Sequence, residues 1–515
     1  MLDMSQILFL GVVAALGYAI FYTSLRRDPR EPPLVHNGIP VIGHLIGMMR
    51  DGVGYWGKQA KKHPRHPIIT LDSLFTKFYV ISSPDLMLAV QRHNKSLSFE
   101  PLLFISAHNI AGITNPKALD LLRDRDAGGH GLGSELMHAM TPTLVGESLD
   151  TMNIRMAQLM RPFIDDLGQS GTVDLYKWCK DAIVAASTDA TYGPLNPYKD
   201  PEIIDAWWDF EDGLAALMAN TLPWLIARKP WAGRNKVARA ILKYLEKNGP
   251  EKSSKLTKVR LEKSLEAGIS TKDYAQLEVA MLIAFVSNTV PATFWCIFEI
   301  CSRTNLLEQV RDEIKANALS VTEGGTHSIE LAAIRDQCPL LLSTFQEVLR
   351  FRSISSPTRF VSKDTLIADK YLLKAGSLVS MASVPMGQRP EVWGDTASVF
   401  DERRFMKNDD QSDKKKDPRR AGGFMAFGIS PTICPGRHFA ASEILLLTAM
   451  IILRYDITPV DGVWNAPPTV PSMVAITGPV KSKFPVNVKH RKEYKGVKWD
   501  FHVQEAKSQF SLVIG

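Results

Sequence analysis

Apolar and polar positions divide the chain before composition is weighed. Ile7 to Leu25 carries no charged side chain, and at about 1.5 Å rise per residue a helix of that length crosses a hydrocarbon core of about 30 Å. Asp3 precedes it, and Arg26, Arg27 and Arg30 come after it, an asymmetry that keeps the remainder of the chain on the cytoplasmic side. A cleavable signal would want a basic leader, and no Lys or Arg stands before Ile7. Residues 1–28 therefore read as a single-pass membrane anchor. Pro29, Pro32, Pro33 and Pro40, with Gly38 and Gly43, predict a stiff, non-helical hinge over residues 29–45. Ile68–Leu71 and Phe78–Ile81 read as strands. From about Pro84 to Arg350, apolar residues recur at three- and four-residue spacing, as in Met156–Leu167, Ala206–Met218 and Leu277–Cys301, which predicts helices. Glu251–Lys263 reads as a connector and solvated helix face. Short strands are expected over Thr358–Ser383, irregular chain over Gln388–Ile433, and a last apolar helix from Arg437 to about Leu453. No linker divides residues 46–515. The expected fold is one large, mainly α domain with a minor β part, preceded by one transmembrane helix.

Composition narrows the function. Of 515 residues, 45% are hydrophobic and 22% charged, enough for a large core. The net charge of +7 is spread along the chain, and no basic stripe interleaved with aromatics points to nucleic acid. Cys179, Cys296, Cys301, Cys338 and Cys434 are odd in number and form no CxxC pair. That argues against a disulfide framework and a zinc site of ordinary spacing; four of the five are expected to be buried fillers.

Cys434 is different. The segment Phe424-Met425-Ala426-Phe427-Gly428-Ile429-Ser430-Pro431-Thr432-Ile433-Cys434-Pro435-Gly436-Arg437 is an apolar, turn-rich loop running into a helix. Pro435 suits a first helical turn. Free N–H groups and the positive end of the helix dipole would favour thiolate over thiol. Gly428 and Gly436 would permit close backbone approach and unusual φ angles. The loop resembles the haem-binding signature of cytochromes P450, with an aromatic, Phe427, seven residues before the cysteine and a glycine, Gly436, two after. It departs where the family often has glycine (Ser430) and a basic residue (Thr432). The resemblance implies haem b with Cys434 as axial ligand to the iron, an electron-rich sulfur that assists O–O cleavage.

Two further segments extend the resemblance. Glu347-Val348-Leu349-Arg350 matches the family's Glu-x-x-Arg helix, and its two charged side chains share one helix face. Phe400-Asp401-Glu402-Arg403-Arg404-Phe405 resembles the family's later arginine segment. By resemblance, Glu347, Arg350 and Arg404 form a buried network bracing the cysteine loop, and Arg359 falls where many members bind a haem propionate.

The middle of the predicted central helix reads Ala284-Phe285-Val286-Ser287-Asn288-Thr289-Val290-Pro291. Typical members carry an acid followed by threonine there, to relay protons to dioxygen. Here Ser287 and Asn288 take those positions, or Asn288 and Thr289 if the register shifts by one. Pro291 should free the Ser287 carbonyl and open the helix. The run looks like the branch containing sterol and bile-acid hydroxylases, prostacyclin synthase and fungal secondary-metabolism enzymes.

Substrate contacts are expected from Phe104–Ile113, Trp207–Trp224, Ala284, Asn288, Ser355–Thr358 and Met473–Ile476. They are mostly apolar with scattered hydroxyls, which suits a lipophilic sterol, terpenoid or polyketide. The resemblance implies a monooxygenase using O2 and electrons from NADPH-cytochrome P450 reductase, at the endoplasmic reticulum membrane with its catalytic domain cytosolic. An isomerase or dehydratase acting on a peroxide, and a non-catalytic haem sensor, are the alternatives. Lys414, Lys415, Lys416, Arg419 and Arg420 form a basic run that is either a reductase-docking patch or a solvated loop.

Overall fold

Helices form where the apolar spacing requires them. In Gly146–Leu167 the buried Leu149, Met152, Met156, Met160 and Ile164 recur every three or four residues, giving one inward stripe. Fully burying such side chains stabilises the fold by roughly 1.5–3 kcal/mol each. Two helices are apolar almost all round and form the centre of the domain: Thr289–Cys301, and Arg437–Arg454, in which only Arg437 and Ala440 escape burial. They pack against each other. The computed structural model describes residues 27–37, 42–73, 76–123, 131–169, 171–406 and 422–503, with isolated positions 11, 15, 17, 510 and 512. The Ile7–Leu25 anchor, apart from three of its positions, and the Lys414–Arg420 basic run lie outside the described residues.

The fold is mainly helical with a minor β part, as expected, and its largest sheet has six strands. Their order is Leu34–Val35, Ile68–Asp72, Lys77–Ile81, Leu378–Met381, Thr358–Val361 and Leu97–Ser98. Ile68–Asp72 and Lys77–Ile81 pair antiparallel with Thr70 opposite Tyr79; both were expected as strands.

Three expectations need correction. The proline-rich segment is no free stalk at its start, because Leu34–Val35 pairs in parallel with the sheet and Thr70 N donates to the Pro33 carbonyl at 2.7 Å. The buried Glu31 adds an ion pair with Lys77 at 2.9 Å. Ala206–Met218 is two helices, Pro201–Asp212 and Leu214–Met218, separated at Gly213. Within Glu251–Lys263, Arg260 is buried and pairs with the buried Glu278 at 2.9 Å, so that stretch is more than a solvated face.

The central helix is also interrupted. Thr271–Val286 ends, Ser287 and Asn288 form a turn, and helix resumes over Thr289–Cys301. Pro291 supplies no N–H to the Ser287 carbonyl, and no backbone donor meets that carbonyl among the described residues. The ladder restarts with Ala292 N donating to Asn288 O at 3.2 Å. Thr271–Cys301 is long and apolar enough to span a membrane, yet most of it is buried inside the domain.

Candidate active site around Cys434

The cysteine loop is a two-stranded hairpin. Gly428 pairs with Ile433 and Ile429 with Thr432, and Cys434 N donates to the Phe427 carbonyl at 2.8 Å. Gly428 has φ +86° and its absent Cβ would lie 2.8 Å from the Thr432 carbonyl, so glycine is needed there for both conformation and space. Gly436 is a different case. Its φ of −83° suits any residue, and a Cβ would stand 4.0 Å from Cys434 Sγ, so this glycine keeps the sulfur's surroundings open instead of permitting an unusual turn. Helix begins only at Arg437; Pro435 and Gly436 form a turn before it.

Cys434 is the exposed cysteine among the five, whereas Phe427 and Ala426 beside it in the loop are buried. Burial by surrounding protein still pushes its thiol above the ordinary value, against the lowering effects of the Gly436 N–H and the Arg437 charge. The expected thiolate is therefore not secured by the helix start; direct coordination to a metal would secure it. The other cysteines behave as fillers, with Cys179, Cys296 and Cys338 buried and Cys301 half-buried.

The bracing network has the predicted members. Arg350 Nη2 donates to Glu347 Oε1 at 2.6 Å and its Nε to Oε2 at 2.7 Å, while Arg404 Nε donates to Oε2 at 3.1 Å. Asp401 N donates to Glu347 Oε1 at 2.9 Å. The arginines then satisfy backbone carbonyls: Arg350 those of Gly387, Ala397 and Val399, and Arg404 those of Trp393, Thr396 and Val399. A buried charge cluster is tolerable only with this degree of pairing.

Arg359 tests whether an anionic cofactor fits. Its guanidinium is buried and donates to the carbonyls of Ile429 and Thr358, both at 3.0 Å. No carboxylate pairs with it among the described residues, and desolvation pushes its pKa down to about 10. A buried cation lacking a counter-charge, hydrogen-bonded to the cysteine hairpin itself, is what a propionate-bearing haem would complete. Among the described residues no cluster of His, Cys, Asp and Glu could hold a metal ion by itself.

On the central helix, Ala284 is exposed and Asn288 half-buried, one turn apart on the same face. Thr289 is buried, which favours Asn288 over Thr289 as the residue reaching open space. Asn288 Oδ1 accepts a hydrogen bond from Ile476 N at 2.8 Å, and Ile476 O accepts one from Ile354 N at 2.7 Å. This chain of bonds joins expected substrate-contact segments. Two expected contacts fail: Trp207 is fully buried with its Nε1 on the Val279 carbonyl at 3.1 Å, and Trp224 faces outward at 57% exposure.

Ser287 is buried, and its Oγ donates to Glu211 Oε1 at 3.0 Å. This carboxyl was missed because it lies 76 residues away; its spacing in Pro201–Asp212 reads as an ordinary amphipathic helix.

The protein-family profile for cytochrome P450 matches residues 32–484, and the chain belongs to that family. It is a cytochrome P450 monooxygenase, an oxidoreductase whose cofactor is haem b bound through a cysteine thiolate. It is 39% identical to cytochrome P450 monooxygenase nodJ of Hypoxylon pulicicidum, over 98% of this chain and 99% of that one. A cytochrome P450 monooxygenase of Gibberella zeae is 27% identical over 92% of both chains. Cytochrome P450 7B1 of Mus musculus is 24% identical over 88% of this chain and 90% of that one.

Proposed function

We propose that the protein inserts one oxygen atom of O2 into a C–H bond of a lipophilic polycyclic substrate of sterol, terpenoid or polyketide type, with electrons from NADPH-cytochrome P450 reductase. The observation that carries this reading is the cysteine hairpin, with its open sulfur, its braced base and the uncompensated Arg359 beside it. Cys434 is the axial ligand, Arg359 pairs with a propionate, and Gly428, Gly436 and Phe427 shape the loop. Glu347, Arg350 and Arg404 hold that loop in place.

When bound, haem supplies dioxygen activation. The chain's own residues do the rest. Asn288 fixes the C-terminal loop through Ile476 and offers an amide at the break in the central helix. The Ser287 carbonyl, freed by Pro291, can hold a hydrogen-bond donor such as water or a substrate hydroxyl. Apolar side chains around them exclude bulk water. The peroxide-isomerase alternative draws its support from the substitutions in the central helix; a carboxyl brought to Ser287 from a second helix favours the monooxygenase reading.

Residues 1–28 form the anchor, residues 29–45 lead into the domain, and residues 46–515 form the catalytic part, held at the cytosolic face of the endoplasmic reticulum membrane. The exposed run Leu222, Trp224, Leu225 and Ile226, with Arg228 and Lys229 next in the chain, supplies a second apolar contact with the bilayer.

Two measurements test this reading. Cys434→Ala should abolish the thiolate-type Soret band of the reduced carbon-monoxide complex; an unchanged band removes Cys434 from the iron. Purified protein with reductase should oxidise NADPH and form an oxygenated product from a panel of sterols and terpenoids. Conversion of a lipid peroxide without any NADPH oxidation would establish the isomerase instead.

A further inference from the structure

Glu211 occupies the end of Pro201–Asp212 and meets the central helix where it is broken. Ser287 adjoins the half-buried Asn288 in the two-residue turn that breaks the helix, three residues after the exposed Ala284. One turn before Glu211, Trp208 lines a cavity of about 830 Å³ that opens to solvent, bounded also by Tyr176, Lys180, Ile204 and Val480. A half-buried carboxyl, a hydroxyl and a carbonyl that no backbone donor meets among the described residues thus lie together at the break, beside Asn288.

We propose that Glu211 feeds protons through Ser287 during dioxygen cleavage, taking over from a second helix the task of the acid missing from the central one. The proposal rests on the monooxygenase reading above. Hydroxylation consumes O2, a C–H bond, two electrons from NADPH and two protons, and yields an alcohol and water. In each relay step the Glu211 O–H bond breaks and its proton passes to Ser287 Oγ. Ser287 releases its own proton towards the open face, and the half-buried carboxylate regains one from solvent. The 3.0 Å contact serves both directions, since Ser287 donates when Glu211 is ionised and accepts when it is protonated.

The surroundings favour the protonated carboxyl relative to a free one. Burial raises its pKa most and Asp212 adds to this, while the Ser287 hydroxyl and Lys180, from Leu175–Tyr192, oppose them. Tyr176, on that same helix, also interacts with Glu211.

The test uses full-length, haem-loaded protein with reductase and no added substrate. NADPH electrons then leave either as hydrogen peroxide, with two electrons and two protons per O2 and the O–O bond kept, or, when the protons delivered break that bond, as two waters, with four electrons and four protons per O2. In wild type the share leaving as water should fall with rising pH as Glu211 ionises. Glu211→Gln should cut water formation about tenfold, raise peroxide release and flatten the pH profile. Ser287→Ala should behave alike, and Ser287→Thr should restore the wild-type split. Infrared spectroscopy of the resting protein over a pH series gives a readout apart from turnover: a protonated-carboxyl band that grows as pH falls, is absent in Glu211→Gln and shifts in Ser287→Ala. A split within twofold of wild type in Glu211→Gln, or a carboxyl band indifferent to Ser287→Ala, overturns the relay. A wild type that oxidises no NADPH sinks the monooxygenase reading and the relay with it, whereas NADPH oxidation with an unchanged split sinks the relay alone.

Discussion

Replacing Glu443 by glutamine should make the protein more stable at neutral pH and remove a large part of its pH dependence. Glu443 is buried in Arg437–Arg454, and its carboxyl oxygens accept from Ser187 Oγ at 2.7 and 2.9 Å. Burial pushes its pKa from 4.5 up to about 8, only partly offset by that hydroxyl. The folded protein therefore keeps a proton that the unfolded chain releases above about pH 4.5. The contribution is fully favourable below the unfolded value, declines as pH rises, and levels off above the folded value. At 1.36 kcal/mol per pH unit, the cost relative to acid pH reaches roughly 3 kcal/mol at pH 7 and about 5 kcal/mol above pH 8. Glutamine keeps an oxygen for Ser187 and cannot ionise. Urea unfolding of the haem-loaded protein, monitored by far-ultraviolet circular dichroism from pH 5 to 9, measures the effect. Wild type and Glu443→Gln should converge near pH 5 and separate steadily to pH 8. Parallel curves would refute the reasoning, because they would mean that Glu443 carries the same charge folded and unfolded.

Arg404→Ala strips a charge from Glu347 and removes the hydrogen bonds that Arg404 gives to the Trp393, Thr396 and Val399 carbonyls; it should cost about 3–5 kcal/mol and lower haem content at purification, measured by the pyridine haemochrome. Gly428→Ala puts a Cβ at a positive φ against the Thr432 carbonyl and should cost at least roughly 1–3 kcal/mol in urea unfolding, with weaker haem retention. Asn288→Ala leaves Ile476 N–H without its acceptor, a loss of about 1–3 kcal/mol. With an accepted substrate it should lower the yield of product per NADPH while haem incorporation stays normal; full coupling would remove Asn288 from the reaction. Removing the residues before Pro29 should release much of the protein from membranes, checked by carbonate extraction; full-length protein that already washes off has no anchor there.

The parts of the fold legible in the sequence are those fixed by local periodicity or by a long apolar motif. The strand pair around Thr70 and Tyr79, the Glu347–Arg350 helix and the last helix all belong there. Pro291 announced the break at Ser287 because proline's missing donor acts over four residues. Features that stayed hidden depended on pairing across space. Leu34–Val35 is too short to read as a strand until its sheet neighbour is known. Trp207 looks like a pocket residue by position, but only the packed helices show its indole turned to Val279. Arg260 resembles any charge on a solvated face until Glu278 is placed opposite. Glu211 carries no motif, and its meaning comes wholly from the hydroxyl it meets.

The bonds running from Asn288 to Ile476 to Ile354 bear on how selectivity can change in evolution or in the laboratory. The central helix, the C-terminal loop and the chain after the Glu347–Arg350 helix are not interchangeable cassettes, because a side-chain acceptor and a backbone peptide fasten one to the next. A loop transplanted from a relative would arrive with Ile476's position set for a different neighbour at 288. Productive changes of substrate preference should therefore come in matched sets across these three stretches. Single exchanges at position 288 should show strong epistasis with the sequence of the 473–476 loop.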